Sequence, residues 1–158
     1  MTIANRLVAL GIALPGPFPP HEPLDAVVVY EGRARTSGQL PRGADGGVLY
    51  PGVLGTSVTV DEGAIAADWC ARNALSVLSA ELGGLDRITR MLSVIGFVVS
   101  APGFVEQAAV IDGASRRLFS VFGDAGRHTR SAIGVAALPR GAAVEIEVEV
   151  ALAPSSRA

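Results

Sequence analysis

The alternation of aliphatic and acidic residues near the end of the chain constrains its fold more than any other feature. From residue 144 to residue 150, valine or isoleucine alternates strictly with glutamate. Because successive side chains of a strand point to opposite faces of a sheet, this pattern predicts a strand with one buried face and one acidic face. The rest of the chain therefore has to supply a sheet for this strand and a layer that covers one side of it.

Other segments carry the periodicity of regular elements. Two short β-branched segments flank Glu31-Gly32 and predict a hairpin, and residues 87–100, apolar on both faces, predict a central strand. Apolar residues spaced by three and four predict two helices. In chain order these elements cover residues 26–30, 33–37, 62–82, 87–100, 103–122 and 130–136, and the alternating strand follows at 144–152. The order ββαβαββ predicts an α+β fold with two helices packed on one mainly antiparallel sheet.

The domain organisation follows from length and from the distribution of proline and glycine. A chain of 158 residues is the size of one ordinary domain, and we expect a single domain over residues 1–158. Residues 1–24 are expected to form an extended N-terminal segment, since its second half is rich in proline, and the core is expected over residues 25–152. The glycine-rich segment 42–55 predicts a loop that is mobile or contacts a ligand.

Composition narrows the possible functions. The formal net charge of -2 offers no basic field for nucleic acid, and no apolar run is long enough to span a membrane. A single cysteine, Cys70, excludes an intrachain disulfide and favours a cytoplasmic protein. With only two histidines and one cysteine, neither a metal site nor a cofactor is expected. The high apolar content, 49%, indicates a homo-oligomer that hides apolar surface between subunits.

Four polar residues are candidates for a site. Arg130, preceded by His128 at the start of a strand, suits a carboxylate that its planar guanidinium grips with two hydrogen bonds, although a surface ion pair is the alternative. Glu145 could hold a water as a general base or acid, or could lie on a solvated sheet face. Ser37 could bind a polar ligand or close a simple turn. Asn73, on the apolar face of its helix, could bond to a neighbouring loop or contact a ligand.

Several short motifs together resemble a known family. They are Thr36-Ser-Gly-Gln-Leu-Pro41, the helix that carries Asn73, Arg130-Ser131, and Leu138-Pro139 followed by Val144-Glu-Ile-Glu147. In this order and spacing they are similar to the reactive intermediate deaminases, also called the Rid or YjgF family, over residues 25–152. The resemblance implies a chorismate-mutase-like fold and a homotrimer whose sheets form a central barrel, with ligand sites in the clefts between subunits. It also implies cofactor-free hydrolysis of enamines and imines, such as 2-aminoacrylate, to 2-keto acids and ammonia.

The same resemblance assigns roles to individual residues. Arg130 would clamp the carboxylate of a small metabolite, Glu145 would position the attacking water, and Ser37 would line the pocket. Three further residues depart from the family pattern: Phe18 replaces a tyrosine that closes the site, His128 is a new polar neighbour of Arg130, and Ala132 replaces a common cysteine. Asp112 is the nearest counterpart of an asparagine on the second helix.

Two other functions stay open at the level of sequence. A trimer that keeps Arg130 to bind a keto acid without converting it is favoured by the missing tyrosine hydroxyl at Phe18. Ribonuclease activity is suggested by names given to the family, and the acidic net charge argues against it.

Overall fold

A five-stranded sheet with three α-helices makes up the computed structural model, which describes residues 1–154. The last four residues of the predicted domain lie outside the described part. The elements in chain order are α1 (Ile3–Ala9), β1 (Val27–Tyr30), β2 (Arg33–Thr36), α2 (Val60–Leu82), β3 (Ile88–Val99), α3 (Gln107–Phe122), β4 (Thr129–Val135) and β5 (Val144–Leu152). Short 3-10 turns precede β4 and β5. All strands and both helices expected from the sequence are present, with bounds that agree closely except at the start of α3.

The sheet has the strand order β1-β2-β5-β3-β4. Three of its four pairings are antiparallel, whereas β3 and β4 run parallel, so the sheet is mixed. Parallel strands need a long crossover connection, and α3 provides it between β3 and β4. Because β4 stands last in the strand order, it is an edge strand whose residues are hydrogen-bonded to a neighbouring strand on one side only.

The core lies between one face of the sheet and the helices. The four aliphatic residues that alternate with glutamate in β5 are each at most 1% exposed, which confirms the alternation predicted for this strand; they are Val144, Ile146, Val148 and Val150. The glutamates between them lie on the face without helices and are partly exposed. The expectation that β3 is an interior strand is also confirmed, since it lies between β5 and β4.

Helix α2 has well-defined ends. Thr59 caps its N-terminus in a capping box, accepting from the amide of Glu62 while its own amide donates to the Glu62 carboxylate. Gly83, at φ 69°, ends the helix in the left-handed conformation that glycine adopts readily. On its inner side Cys70 is fully buried, and burial raises the pKa of this thiol well above its usual value.

The expectation of two helices and an extended segment over residues 1–24 is wrong at the N-terminus. Residues Ile3–Ala9 form a third helix, α1, capped by the hydroxyl of Thr2. Three contacts hold it: Leu7 is buried, Arg6 Nε donates to the backbone carbonyl of Ser120 on α3, and the Ile3 amide donates to the carboxylate of Asp86. Because these contacts are made with distant residues, the local sequence does not reveal the helix. From residue 12 to residue 24 the chain has no regular helix or strand, as the prolines predicted.

Gly113 lies inside a continuous α3. It is placed where α3 crosses α2, and a Cβ at this position would collide with the backbone carbonyl of Ala64. The absence of a side chain therefore allows the two helices to approach closely. Nearby, Asp68 on α2 forms an ion pair with Arg117 on α3.

The Gly113→Ala variant is expected to be less stable than wild type by about 1–3 kcal/mol, because the backbones of two packed helices must move apart. Chemical denaturation measures this loss as a lower midpoint. Gly16→Ala is the matched control, since no atom lies within 4 Å of a Cβ built there. Equal midpoints for the two variants would contradict close packing at Gly113.

None of the described helices is long and apolar enough to cross a membrane. Within residues 1–154, no group of three or more acidic, histidine or cysteine side chains is arranged to hold a metal ion.

Candidate functional site

Arg130 lies on edge strand β4, on the side of the sheet that faces α3. Its Nη1 donates to Asp112 Oδ1 at 2.7 Å and to Ser115 Oγ at 3.0 Å. Asp112 and Ser115 are one helical turn apart on α3, so both side chains reach the same point on β4. The Arg130 side chain is only 24% exposed. Its position is thus fixed by these two groups before any ligand binds.

His128 extends this network by one hydrogen bond. Its Nδ1 lies 2.7 Å from the carbonyl oxygen of Gly126, which can only accept, so Nδ1 is the protonated nitrogen. In the neutral ring Nε2 then accepts the hydroxyl proton of Ser115 at 3.0 Å. Arg130, Ser115 and His128 therefore form one directed chain of hydrogen bonds. They line a surface cavity of about 450 Å³ together with Phe119, Gly126 and Arg127.

Ala132 lies two residues beyond Arg130 and on the same face of β4. It pairs in register with Gly96 of β3 and packs against the hydrophobic core. Its methyl group therefore gives an apolar surface beside the Arg130 network and no polar contact.

Glu145 lies on the opposite face of the sheet, on β5. The next two glutamates on this face each form an ion pair with an arginine: Glu147 with Arg35 at 2.7 Å and Glu149 with Arg33 at 3.4 Å. Glu145 has no hydrogen-bond or ion-pair partner among the described residues. Burial first, and the charge of Glu147 second, raise the pKa of its carboxyl above the usual value.

The Glu145 carboxyl group rests against Gly38, at the end of the β1–β2 hairpin. A Cβ at Gly38 would collide with Glu145 Oε1, so only glycine leaves room for the carboxylate in this position. The glycine of Ser37-Gly38-Gln39 therefore provides the space that the Glu145 carboxyl group occupies.

Ser37 and Phe18 line a second cavity, of about 360 Å³, on the Gly38 side of the sheet. The Ser37 hydroxyl donates to the carbonyl of Asp25 at 2.6 Å and so holds the end of the hairpin. The ring of Phe18 lies under the guanidinium of Arg42, with the Cζ atom 4.9 Å from the ring centroid. Arg140 lines the same cavity from the turn before β5.

Asn73 makes the bond to a neighbouring loop that was one of its two predicted roles. Its side chain is 2% exposed, and Nδ2 donates to the backbone carbonyls of Arg42 and Trp69, both at 2.9 Å. Asn73 therefore anchors the start of the glycine-rich loop and fixes the backbone of Arg42.

A single chain does not bring Arg130 and Glu145 together. In register, Arg130 pairs with Val94 and Glu145 pairs with Phe97, which places them on opposite faces of β3. They are separated by two inter-strand spacings, about 9–10 Å, and by three residues along the strand, about 10 Å more. The predicted residues form two groups: Arg130, His128 and Ala132 lie near α3, and Phe18, Ser37 and Glu145 lie near the hairpin.

Comparison with known proteins identifies the family. Residues 4–147 match the family described as YjgF/chorismate_mutase-like, putative endoribonuclease. The chain belongs to the YjgF, or Rid, family. The five-stranded sheet with its helices is the chorismate-mutase-like fold of that family.

Individual relatives of the YjgF family are similar over nearly the whole chain. Protein TCP17 of Trypanosoma cruzi is 45% identical over 151 residues, covering 95% of this chain and 94% of the relative. The crystal structure of Atu1372 from Agrobacterium tumefaciens is 38% identical, with a TM-score of 0.88 and coverage of 96% and 94%. A protein from Shewanella oneidensis, described as a putative endoribonuclease, is 31% identical, with a TM-score of 0.92 and coverage of 96% and 100%.

Three residues of this YjgF-family chain contribute to the two cavities without having been predicted: Ser115, Arg42 and Arg140. Ser115 shares a helix face with Asp112, and this spacing is visible in the sequence. Its hydrogen bond with Arg130 depends on how the connection from α3 to β4 places the two elements in space, which the local sequence does not encode.

Proposed function

We propose that this protein hydrolyses reactive enamines and imines of 2-amino acids to 2-keto acids and ammonia. The observation that carries the proposal is Glu145, a half-buried carboxyl group without a partner among residues 1–154, beside glutamates that are each paired with an arginine. An unpaired carboxylate in a partly dry position is suited to take a proton from water. Membership of the YjgF family and the matching Arg130-Ser131 motif support the same chemistry.

The reaction needs a placed water and one group that moves a proton. Water adds to the carbon of the protonated imine while Glu145 takes a proton from that water, which gives a carbinolamine. Glu145 then returns the proton to the nitrogen, the C–N bond breaks as the hydroxyl oxygen forms the C=O bond, and the hydroxyl proton leaves with the ammonia as ammonium, which releases the 2-keto acid. An enamine enters the same sequence after it gains a proton on carbon. The imine is already electrophilic, so orientation is the main requirement.

Arg130 is proposed to supply that orientation. A guanidinium grips a carboxylate with two parallel hydrogen bonds, which fixes both the position and the plane of the substrate. Ser115, which is itself hydrogen-bonded to His128, accepts a hydrogen bond from Arg130, so the arginine side chain is already ordered when a small carboxylate-bearing metabolite arrives. Phe18 and Ser37 are proposed to line the pocket on the Glu145 side.

The complete site is proposed to lie between subunits of a homotrimer whose sheets form a barrel. The separation of Arg130 from Glu145 within one chain supports this, because a second copy can place its own Arg130 near Glu145. The sheet face without helices exposes apolar side chains, including Val28, Tyr30 and Ile133, that such an assembly would cover. Edge strand β4, which carries Arg130, has free backbone groups at this boundary.

The first test measures keto-acid release from imines that an amino-acid oxidase generates in situ, with and without the wild-type protein. We expect faster keto-acid release when the protein is present, at an equal rate of imine formation. No acceleration with imines of several sizes, from protein that is folded and oligomeric, would overturn it.

A second test asks whether the site spans two chains. Arg130→Ala and Glu145→Gln chains, each inactive alone, are unfolded together, refolded as a mixture and assayed. In randomly mixed trimers about one site in four receives both wild-type groups, so about a quarter of the activity should return. No recovery from verified mixed trimers would contradict a shared site.

A second candidate function is a trimer that binds a keto acid without converting it. Phe18 favours it, since its ring has no hydroxyl to close the site. The Asp112 carboxylate, 2.7 Å from Arg130 Nη1, would compete with the carboxylate of either kind of ligand. Saturable keto-acid binding without any acceleration of imine hydrolysis would select this function.

Replacing Asp112 with asparagine is expected to tighten keto-acid binding several-fold, because the competing charge on Arg130 is removed. Calorimetric titration with pyruvate measures the change. Asp124→Asn is the matched control, since Asp124 pairs with Arg127 on the surface and not with Arg130. Weaker binding in Asp112→Asn than in the control would show that Asp112 orients Arg130 and does not compete for it.

A further inference from the structure

Two arginines share one cavity on the hairpin side of the molecule. Arg42 and Arg140 both line the 360 Å³ cavity that also contains Ser37 and Phe18. Neither has an ion-pair or side-chain hydrogen-bond partner among residues 1–154, whereas seven other arginines of that part are paired with a carboxylate; the seven are Arg33, Arg35, Arg72, Arg116, Arg117, Arg127 and Arg130.

The position of Arg42 is fixed from two sides. Asn73, buried in α2, donates to its backbone carbonyl, and the ring of Phe18 supports its guanidinium from below. A cation held over an aromatic ring loses little further freedom when an anion binds it. Burial lowers the pKa of Arg42, and the charge of Arg140 lowers it further. The two positive charges thus act on each other without a compensating carboxylate.

Arg140 reaches the cavity from a turn with unusual backbone geometry. Its φ of 58° lies in the left-handed region, which a residue with a long side chain adopts rarely. Such a conformation is retained where surrounding structure requires it. Here it brings Arg140 to the cavity directly before β5, the strand that carries Glu145.

We infer that Arg42 and Arg140 form a second anion-binding subsite, and that the preferred substrate is the imine of a dicarboxylic amino acid. This inference rests on the proposed function: Arg130 holds the carboxylate next to the reacting carbon, and the two arginines hold the carboxylate at the far end of the side chain. Because Ser37 and Gly38 line the cavity, the subsite adjoins Glu145, which contacts Gly38. Two guanidinium groups without partners would repel each other less once an anion lies between them.

Binding is tested first, because it does not depend on turnover. 2-Oxoglutarate is compared with 2-oxopentanoate, which has the same carbon chain without the second carboxylate. Wild type should bind 2-oxoglutarate about tenfold more tightly or better, and Arg42→Gln and Arg140→Gln should each lose that preference. Affinity for 2-oxopentanoate should stay within about twofold in both variants, which also shows that they are folded. Arg90→Gln, which removes an exposed charge on β3, is the control and should keep the preference.

Turnover is tested with imines of glutamate and glutamine, which differ only in a carboxylate and an amide. At equal imine supply, wild type should convert the glutamate imine faster, and the two variants should convert both imines at similar rates.

Equal affinity of wild type for both keto acids, or a preference that survives both substitutions, would overturn the subsite. If neither imine is converted but 2-oxoglutarate binding depends on Arg42 and Arg140, the subsite stands and the proposed hydrolysis fails. If both imines are converted equally and the variants change nothing, the subsite fails and the hydrolysis stands.

Discussion

Replacing Arg130 with alanine is expected to reduce keto-acid release at least about a hundredfold. The guanidinium would hold the substrate carboxylate, and the loss of a placed charged donor has consequences of this size in other enzymes. The loss should fall on kcat/KM, since both binding and orientation depend on Arg130. Steady-state rates with oxidase-generated imines measure it.

Two variants separate this role from general effects of charge. Arg130→Lys keeps the charge and loses the planar fork, so it should recover only part of the activity. Arg127→Ala removes a neighbouring arginine whose guanidinium lies over Phe119, and it should leave the rate nearly unchanged. Equal activity of Arg130→Ala and Arg127→Ala would contradict a carboxylate clamp at Arg130.

Replacing Glu145 with glutamine is expected to reduce kcat by about a hundredfold or more, because an amide cannot take the proton from water. The wild-type rate should fall as the pH drops through the pKa of Glu145, which burial and Glu147 raise above the usual value for a glutamate. The variant should lack this acidic limb. Glu149→Gln, which breaks only the pair with Arg33 at 3.4 Å, is the matched control and should retain the limb.

Stability should move in the opposite direction to activity in Glu145→Gln. A carboxyl whose pKa is raised by folding binds its proton more tightly in the folded state, so its ionisation opposes folding. At neutral pH the variant should therefore be more stable than wild type. The difference should shrink as the pH falls through the raised pKa and disappear below the pKa of the unfolded chain. A variant that loses both activity and stability would indicate a structural role for Glu145.

Local sequence patterns were sufficient to predict most of the fold. The alternation in β5 and the apolar run of β3 are patterns of consecutive residues, so they can be read without knowing which elements bury them. Helix α1 depends on its contact with α3, and the parallel pairing of β4 depends on the path of the crossover. The contact of α1 with α3 and the pairing of β4 both join residues far apart in the sequence, so a local residue pattern does not predict them.

The same contrast between local patterns and long-range contacts applies to the residues of the candidate site. Arg130, Glu145, Ser37 and Phe18 stand in short motifs, so they could be chosen from the sequence. Their separation into two groups could not, because it depends on strand order and on which face of the sheet each side chain takes. The partners Ser115 and Arg140 become visible only when α3 and the turn before β5 have their positions in space.

The buried thiol of Cys70 has a practical consequence for all of these measurements. Amino-acid oxidases release hydrogen peroxide, which oxidises cysteine through its thiolate form. Cys70 is the single cysteine of the chain, it is fully covered by the core, and its raised pKa keeps it protonated. Peroxide that accumulates in such an assay should therefore leave this side chain intact, and a decline in rate over time would have to be traced to the oxidase or to the imine itself.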